Sequence, residues 1–309
     1  MAEITAKLVK ELREKSGVGM MDAKKALVEN NGDMDASMDW LRTKGLAKAA
    51  KKADRVAAEG LVAVASSGTT GSVIEVNSET DFVSRNEQFQ GFVGELAGLA
   101  AGANGDVEAL KGMDYPGAGK NVGDQLTSLI STIGENMSIR RTATLSVSDG
   151  SVASYVHNSV APGMGKIGVL VALESAGDKA KLEELGKGLA MHIAAINPAA
   201  LDETSMDPEL VQREKDVLSA EARESGRPEE IIEKMIGGRM KKFFAENCLV
   251  QQEYVMDADK RTVGEVVAAL GKELGSDVTL KGYVRMQLGD GIEKKEENFA
   301  EEVAAVAGR

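Results

Sequence analysis

Ser72-Val73-Ile74-Glu75-Val76-Asn77-Ser78-Glu79-Thr80-Asp81-Phe82-Val83, with the run from Arg85 to Ala101 that follows it, decides the fold. Ser72–Asn77 is short and rich in β-branched residues, so it reads as a strand. Asn77-Ser78-Glu79-Thr80-Asp81 is polar and turn-like. From about Arg85 to Ala101, apolar residues fall at Phe89, Phe92, Val93, Leu96 and Leu99, which is helical spacing. Upstream, Leu61–Ala65 is a second strand, and Ser-Ser-Gly-Thr-Thr-Gly between the two is a hairpin signal.

The same order recurs further along. Ile167–Leu173 is an apolar strand, and Leu182–Ile196 is an amphipathic helix that ends before Asn197-Pro198. The match lies in the order of elements, not in residue identity, and it reads as an internal duplication. A helix at Asp124–Gly134, strands at Ile139–Val147 and Val152–His157 around Asp149-Gly150, and a strand at Val278–Leu288 complete the core. In that last strand Val278, Leu280, Val284, Met286 and Leu288 alternate with polar residues. Residues 102–123 are Gly-rich and read as loose.

Outside the core the periodicity is helical. Ile4, Leu8 and Leu12 form one stripe, Met21, Leu27 and Val28 continue on a second helix, and Met34, Met38 and Leu41 mark a third with Asp33 as its cap. These three short helices look like a ubiquitin-associated-type (UBA-like) bundle, and residues 42–55 read as a basic linker with helical tendency. Residues 208–246 form a helical hairpin close to an antiparallel coiled coil, broken at Ser225-Gly226-Arg227-Pro228. A final helix runs from about Lys294 to Val306. The fold class is therefore α+β: a UBA-like N-terminal domain with its linker (1–55), a duplicated core with small antiparallel sheets (56–147 and 148–289, the second half carrying the 208–246 hairpin), and a C-terminal helical module (290–309).

The 309 residues carry 37 Lys and Arg against 49 Asp and Glu, a net charge of −12. That argues against a general nucleic-acid binder, which needs cations to neutralise phosphates. The charge is uneven: residues 1–55 hold 12 basic and 9 acidic residues and the remainder 25 and 40, so a slightly basic head sits on an acidic body. One cysteine, Cys248, excludes an internal disulfide. There is no apolar run long enough for a membrane span and no secretion signal, so a cytoplasmic protein is expected.

No catalytic constellation emerges. The two histidines, His157 and His192, lack metal-ligand spacing, and Cys248 has no histidine nearby. Gly163-Met164-Gly165-Lys166 resembles the end of a P-loop, but Val160 and Ile167 occupy the positions that should be Gly and Ser or Thr. Gly119-Lys120-Asn121 fails the same test. Asp33-Met34-Asp35 starts like a calcium loop but lacks its glycine. No metal or cofactor is implied, and an enzyme is not expected.

Two segments carry a resemblance: Ala6-x-Leu8-Val9-Lys10-Glu11-Leu12-Arg13-Glu14 with Gly17-Val18-Gly19-Met20-Met21-Asp22-Ala23-Lys24-Lys25-Ala26-Leu27, and Glu75 to Val83. The likeness continues in order through Ile133–Arg141, Tyr155-x-His157, Ile167–Leu170, Met191–Ala195, Gly238–Phe243 and Gly289–Lys294. Together these resemble the elongation factor Ts family over nearly the whole chain. The resemblance implies a nucleotide exchange factor that binds elongation factor Tu in its GDP-bound and nucleotide-free states and speeds GDP release. It implies that Thr80, Asp81, Phe82 and Val83 enter the partner's nucleotide-binding domain and disturb its magnesium site. Met20 and Met21 would touch the same domain with Arg13 and Lys24 beside them, and His157 would lie near the region that cradles the phosphates.

From pattern alone, Phe82 is as readily a core residue, one of Met20 and Met21 belongs to the bundle core, and His192 is structural. Asn158–Lys166 is longer and richer in Gly and Pro than in shorter members of the family, which bears on how His157 is presented. The rival reading is a UBA-type tethering adaptor without exchange activity. The 208–246 hairpin is equally a route to a homodimer or a 2:2 complex.

Overall fold

The β-branched run at 72–77 lies in the middle of a four-layer sandwich in the computed structural model, which describes residues 4–16, 18–224 and 228–293. Helices α1 (Ala6–Ser16), α2 (Met20–Glu29) and α3 (Met34–Ala50) come first. The first core half follows: β1 (Glu59–Ser67), β2 (Thr70–Ser78), α4 (Glu87–Ala103), α5 (Val107–Gly112), β3 (Asp114–Tyr115), β4 (Lys120–Asn121), α6 (Val122–Ile133) and β5 (Met137–Ser146). The second comprises β6 (Gly150–His157), β7 (Met164–Gly165), β8 (Ile167–Glu174), α7 (Lys179–Ile196), α8 (Pro208–Glu224), α9 (Glu229–Asn247), α10 (Val263–Leu274) and β9 (Thr279–Gln287).

All strand pairs are antiparallel. One sheet has the order β5-β2-β1-β7, another β6-β8-β9, and β3 and β4 form a two-stranded ribbon. Strand alternation builds the layers. In β2, Ile74 and Val76 face α4 and α6 with Phe89, Phe92, Leu96 and Leu129, while Val73 points the other way. In β8, Val169, Val171 and Leu173 face α7 and α10, while Leu170 and Ala172 meet Val62 and Val73 between the sheets. The order is thus helices, sheet, sheet, helices, with apolar layers between them.

The two halves repeat more closely than the order of elements required. A register shift falls between Glu75 and Val76 in the β2–β5 pair, and another between Ala172 and Leu173 in the β8–β9 pair. Two residues beyond each shift, Asn77 pairs with Gly60 and Glu174 with Gly150. Both glycines have positive φ, 121° and 143°, and a Cβ at either would lie 2.2 Å or less from a backbone oxygen. Only glycine permits that approach.

Two expectations need correction, and one stretch left open takes a definite form. Residues 42–50 are helical, in line with their tendency, but they are not a linker: α3 runs on to Ala50 and lies against α6, where Gly45 faces Thr127 and Ser131 and Arg42 pairs with Asp124 at 2.9 Å. Residues 102–123 are not loose, since α5 and the β3–β4 ribbon occupy them and Tyr115 stacks on Phe92 with ring centroids 5.8 Å apart. Residues 158–166 fold back so that β7 pairs with β1 and becomes an edge strand of the first sheet. In each case the missing information is a distant partner. The helix of residues 294–306 and the break at 225–227 lie outside the described residues.

α8 and α9 pack on each other, burying Leu218, Ala222 and Ile232. Their base rests on Ala200, Met206 and Cys248 through Val211, Phe243 and Phe244. Leu210, Val217 and Ile231 remain exposed along the hairpin.

Candidate functional site

β2 runs out at Ser78 into the polar turn, and the chain is then held at two points. The Thr80 backbone N–H and hydroxyl both donate to the Glu135 carboxylate, at 2.9 and 2.7 Å. Val83 is buried in the first core cluster and starts a short 3-10 turn, Val83–Arg85. Asn86 then caps α4 by accepting the Gln88 and Phe89 N–H groups. Between the two anchors, Asp81 and Phe82 stand out of the molecule. Phe82 is 76% exposed. The core reading of Phe82 is therefore excluded, and so is its burial against any described part of the chain. A phenyl ring left in water forgoes roughly 2–3 kcal/mol of burial free energy, which a partner could recover.

The base of this tip is a network of hydrogen bonds. Glu79 accepts the Asn136 N–H at 2.5 Å and lies 3.3 Å from Arg55 Nη1. Asn136 Nδ2 donates to the carbonyls of Arg55 (2.7 Å) and Ala53 (3.4 Å). Deeper in β2, the fully buried Glu75 accepts from Arg140 Nη1 (3.0 Å), Arg141 Nε (2.6 Å), Asn77 Nδ2 (3.0 Å) and the Gly289 N–H (2.8 Å). The register shift beside it leaves Arg140 as the extra residue of β5, so two adjacent arginines reach one carboxylate. Burial alone would push the Glu75 carboxyl up, but the Gly289 N–H, Asn77 and Arg141 outweigh it and hold the group below its ordinary value. These roles of Glu75, Glu135 and Asn136 were missed at the sequence level. The residues stood inside the recognised motifs, but nothing local pairs them.

The other expected residues fall in two further places. Met20 and Met21 open α2, and both are exposed, at 51% and 76%. The expectation that one of them fills the bundle core is corrected: Ala23, Ala26 and Leu27 do so with Val9 and Leu12. Met20 is in phase with Ala23 and Leu27, but as the first helical residue it lies at the rim. Arg13 on α1 and Lys24 on α2 are exposed on the same bundle. His157 ends β6, exposed, with Nδ1 3.2 Å from the Tyr155 hydroxyl. The following insertion is tied down by the Val64 N–H bond to Gly163 O and the Lys166 N–H bond to His157 O.

His192 is structural as read. It is fully buried, with Nε2 2.9 Å from Gln252 Oε1 and Nδ1 accepting the Val255 N–H at 3.3 Å. Among the described residues, no group of three or more His, Cys, Asp or Glu could hold a metal ion, and no helix is long and apolar enough to cross a membrane.

Comparison with known proteins gives one answer. The family model described as "Elongation factor TS" matches residues 79–290. The protein named elongation factor Ts from Parvibaculum lavamentivorans is 59% identical over 307 residues, covering 99% of both chains. That of Sphingopyxis alaskensis is 60% identical over 310 residues and that of Caulobacter vibrioides 56% over 313, each covering 100% of both chains. A family match over more than half of the chain, with relatives this similar from end to end, means that the chain belongs to the elongation factor Ts family.

Proposed function

We propose that the chain is a cytoplasmic translation elongation factor that binds elongation factor Tu and drives GDP from it, and that it is not itself an enzyme. The observation that carries this reading is the Asp81–Phe82 tip, a large apolar ring held out in water between two fixed anchors. In this reading Phe82 acts as a wedge in the partner's nucleotide-binding domain. Asp81 takes hydrogen bonds that otherwise support the magnesium shell, which tolerates little distortion because Mg²⁺ demands near-octahedral geometry. Thr80 and Val83 hold the tip from either side.

Met20 and Met21 are a second contact. Flexible, polarizable side chains suit a surface that changes shape. Arg13 and Lys24 accompany them, and His157 is a third contact, towards the phosphates. The segments 1–55, 56–147, 148–289 and 290–309 serve as the functional divisions of the chain.

Reciprocity binds the mechanism: if the factor weakens GDP binding, GDP weakens binding of the factor by the same ratio. A thousandfold weakening requires about 4 kcal/mol of coupling, which a buried phenyl ring and lost magnesium contacts supply together. The test is release of a fluorescent GDP analogue from the cognate GTPase. Fast release with the wild type and a large loss with Phe82→Ala support both the function and the wedge. Fast release with both removes Phe82 as the main lever, and no acceleration by the wild type rejects the function.

A further inference from the structure

The turn between α6 and β5, Gly134-Glu135-Asn136, receives two distant parts of the chain at once. The tip arrives from one side: Thr80 bonds to Glu135 through both its N–H and its hydroxyl, and Glu79 accepts the Asn136 N–H. The stalk of the N-terminal bundle arrives from the other. Asn136 Nδ2 donates to the carbonyls of Ala53 and Arg55, Lys52 Nζ donates to Gly134 O, and Arg55 closes the ring on Glu79. Lys52 and Arg55 directly follow α3, whose bundle carries Met20 and Met21.

We propose that Glu135, with Glu79 and Asn136, is a positioning residue for nucleotide exchange: it sets the Phe82 tip at a fixed attitude to the N-terminal bundle, so that both meet the GTPase together. The proposal rests on the exchange reading above. Asp81 and Phe82 have little packing of their own, and the tip is defined by its anchors at Thr80 and Val83. With the Thr80 anchor gone, the ring pivots about Val83. A wedge contributes to release only in the strained complex, so a loss of aim falls on the maximal rate rather than on first binding. Glutamine at 135 keeps the shape and, with Oε1 towards the Thr80 N–H and Nε2–H donating to the hydroxyl, keeps both contacts, but it turns two bonds to a carboxylate into neutral ones. A bond to a carboxylate is the stronger kind, so the weakening is measurable.

The experiment is a double-mutant cycle in the GDP-release assay, with full-length wild type, Glu135→Gln, Phe82→Ala and the double variant, each titrated against the GTPase and each melted by circular dichroism. Glu135→Gln is expected to lower the maximal release rate about tenfold while half-saturation moves less than about twofold. In the Phe82→Ala background the same substitution is expected to change the rate by less than about twofold, because there is no wedge left to aim. Equal losses in both backgrounds, or an unchanged rate in Glu135→Gln, overturn the proposal and leave Glu135 a structural residue. If Glu135→Gln does not fold, Thr80→Val removes the hydroxyl half of the same contact from the tip side and is judged by the same cycle. No acceleration by the wild type rejects the exchange reading, and the positioning role with it, a result distinct from an additive cycle.

Discussion

Phe82 and Val83 are adjacent and apolar, yet one lies in water and the other in the core. Their substitutions therefore separate function from stability. Phe82→Ala removes no packing and should leave the unfolding free energy within about 0.5 kcal/mol of wild type. Val83→Ala removes two methyl groups from a packed site and should cost about 2 kcal/mol. Chemical denaturation of the two variants checks both figures, and a Phe82→Ala loss as large as that of Val83→Ala would mean that the ring is packed in solution. His192 supports a different prediction. Burial pushes its pKa below the ordinary 6.5, only partly opposed by the Gln252 side chain. With Nδ1 accepting from Val255, the neutral ring carries its proton on Nε2 and donates to Gln252, and a second proton would break the Val255 bond. A depressed folded pKa means that the unfolded chain binds the proton more readily. The contribution of His192 is thus full above the unfolded value and is lost as pH falls through the folded one. Melting temperatures of wild type and His192→Gln measured downward from pH 8 should converge below about pH 6.5. A constant gap across that range would show that His192 does not titrate with folding.

Among the elements, β2 ties several parts of the fold together. It is a central strand of the first sheet, leads into the tip, and carries Glu75, which ties Arg140 and Arg141 of β5 to the turn after β9. The arginines extend the clasp, with Arg140 Nη2 bonded to Asp290 O and Arg141 Nη2 to Gln287 O. Gly289 completes it at φ 72°, where a Cβ would sit 2.6 Å from Ala58 O. Glu75→Gln leaves two arginines at a partly buried site without their counter-charge, so a cost of about 3 kcal/mol is expected in denaturant unfolding. The wild-type advantage should be present above the ordinary carboxylate pKa of 4.5 and fade as pH falls below it, since the folded value is the lower one. A cost under about 0.5 kcal/mol at pH 7, the ordinary range for a surface change, would mean that the clasp is solvated and adds little. None of this is local in sequence, where Glu75, Arg140 and Gly289 stand far apart. What was legible is what a strand or helix advertises in its own period. Ile74 and Val76 against Phe89, Phe92 and Leu96 announced strand and helix, and Asp33 announced its cap, accepting the Ala36 N–H at 2.9 Å. By pattern alone the tip was legible only as polar residues before Phe82, and the family resemblance is what singled it out. Its exposure depends on anchors at Glu135 and in the core. The extension of α3 past Arg42 and the pairing of β7 with β1 depend likewise on surfaces elsewhere in the chain.

At the scale of the molecule, the N-terminal bundle and the tip are separate structures that share one mount. The bundle has its own small core of Leu12, Ala23, Ala26 and Leu27, and α3 carries it along α6 to the turn at Gly134–Asn136. Removing residues 1–50 would therefore take away Met20, Met21, Arg13 and Lys24 but leave Lys52, Arg55 and the whole base of the tip. An adaptor that merely tethers partners through this bundle would lose all binding. An exchange factor whose lever is Phe82 would lose one of two linked contacts, and with it the gain that linkage brings. Its half-saturating concentration should rise about a hundredfold, within the usual range for losing one of two joined sites. Its release rate at saturation should stay within about tenfold of wild type, because the tip and its anchors are intact. The truncation also uncovers the face of α6 that meets Gly45 and Arg42, so each preparation is first melted, and only folded protein is titrated. A folded truncation that binds but never accelerates release would shift the lever from Phe82 to the methionines. One that neither binds nor accelerates would return the chain to the tethering reading.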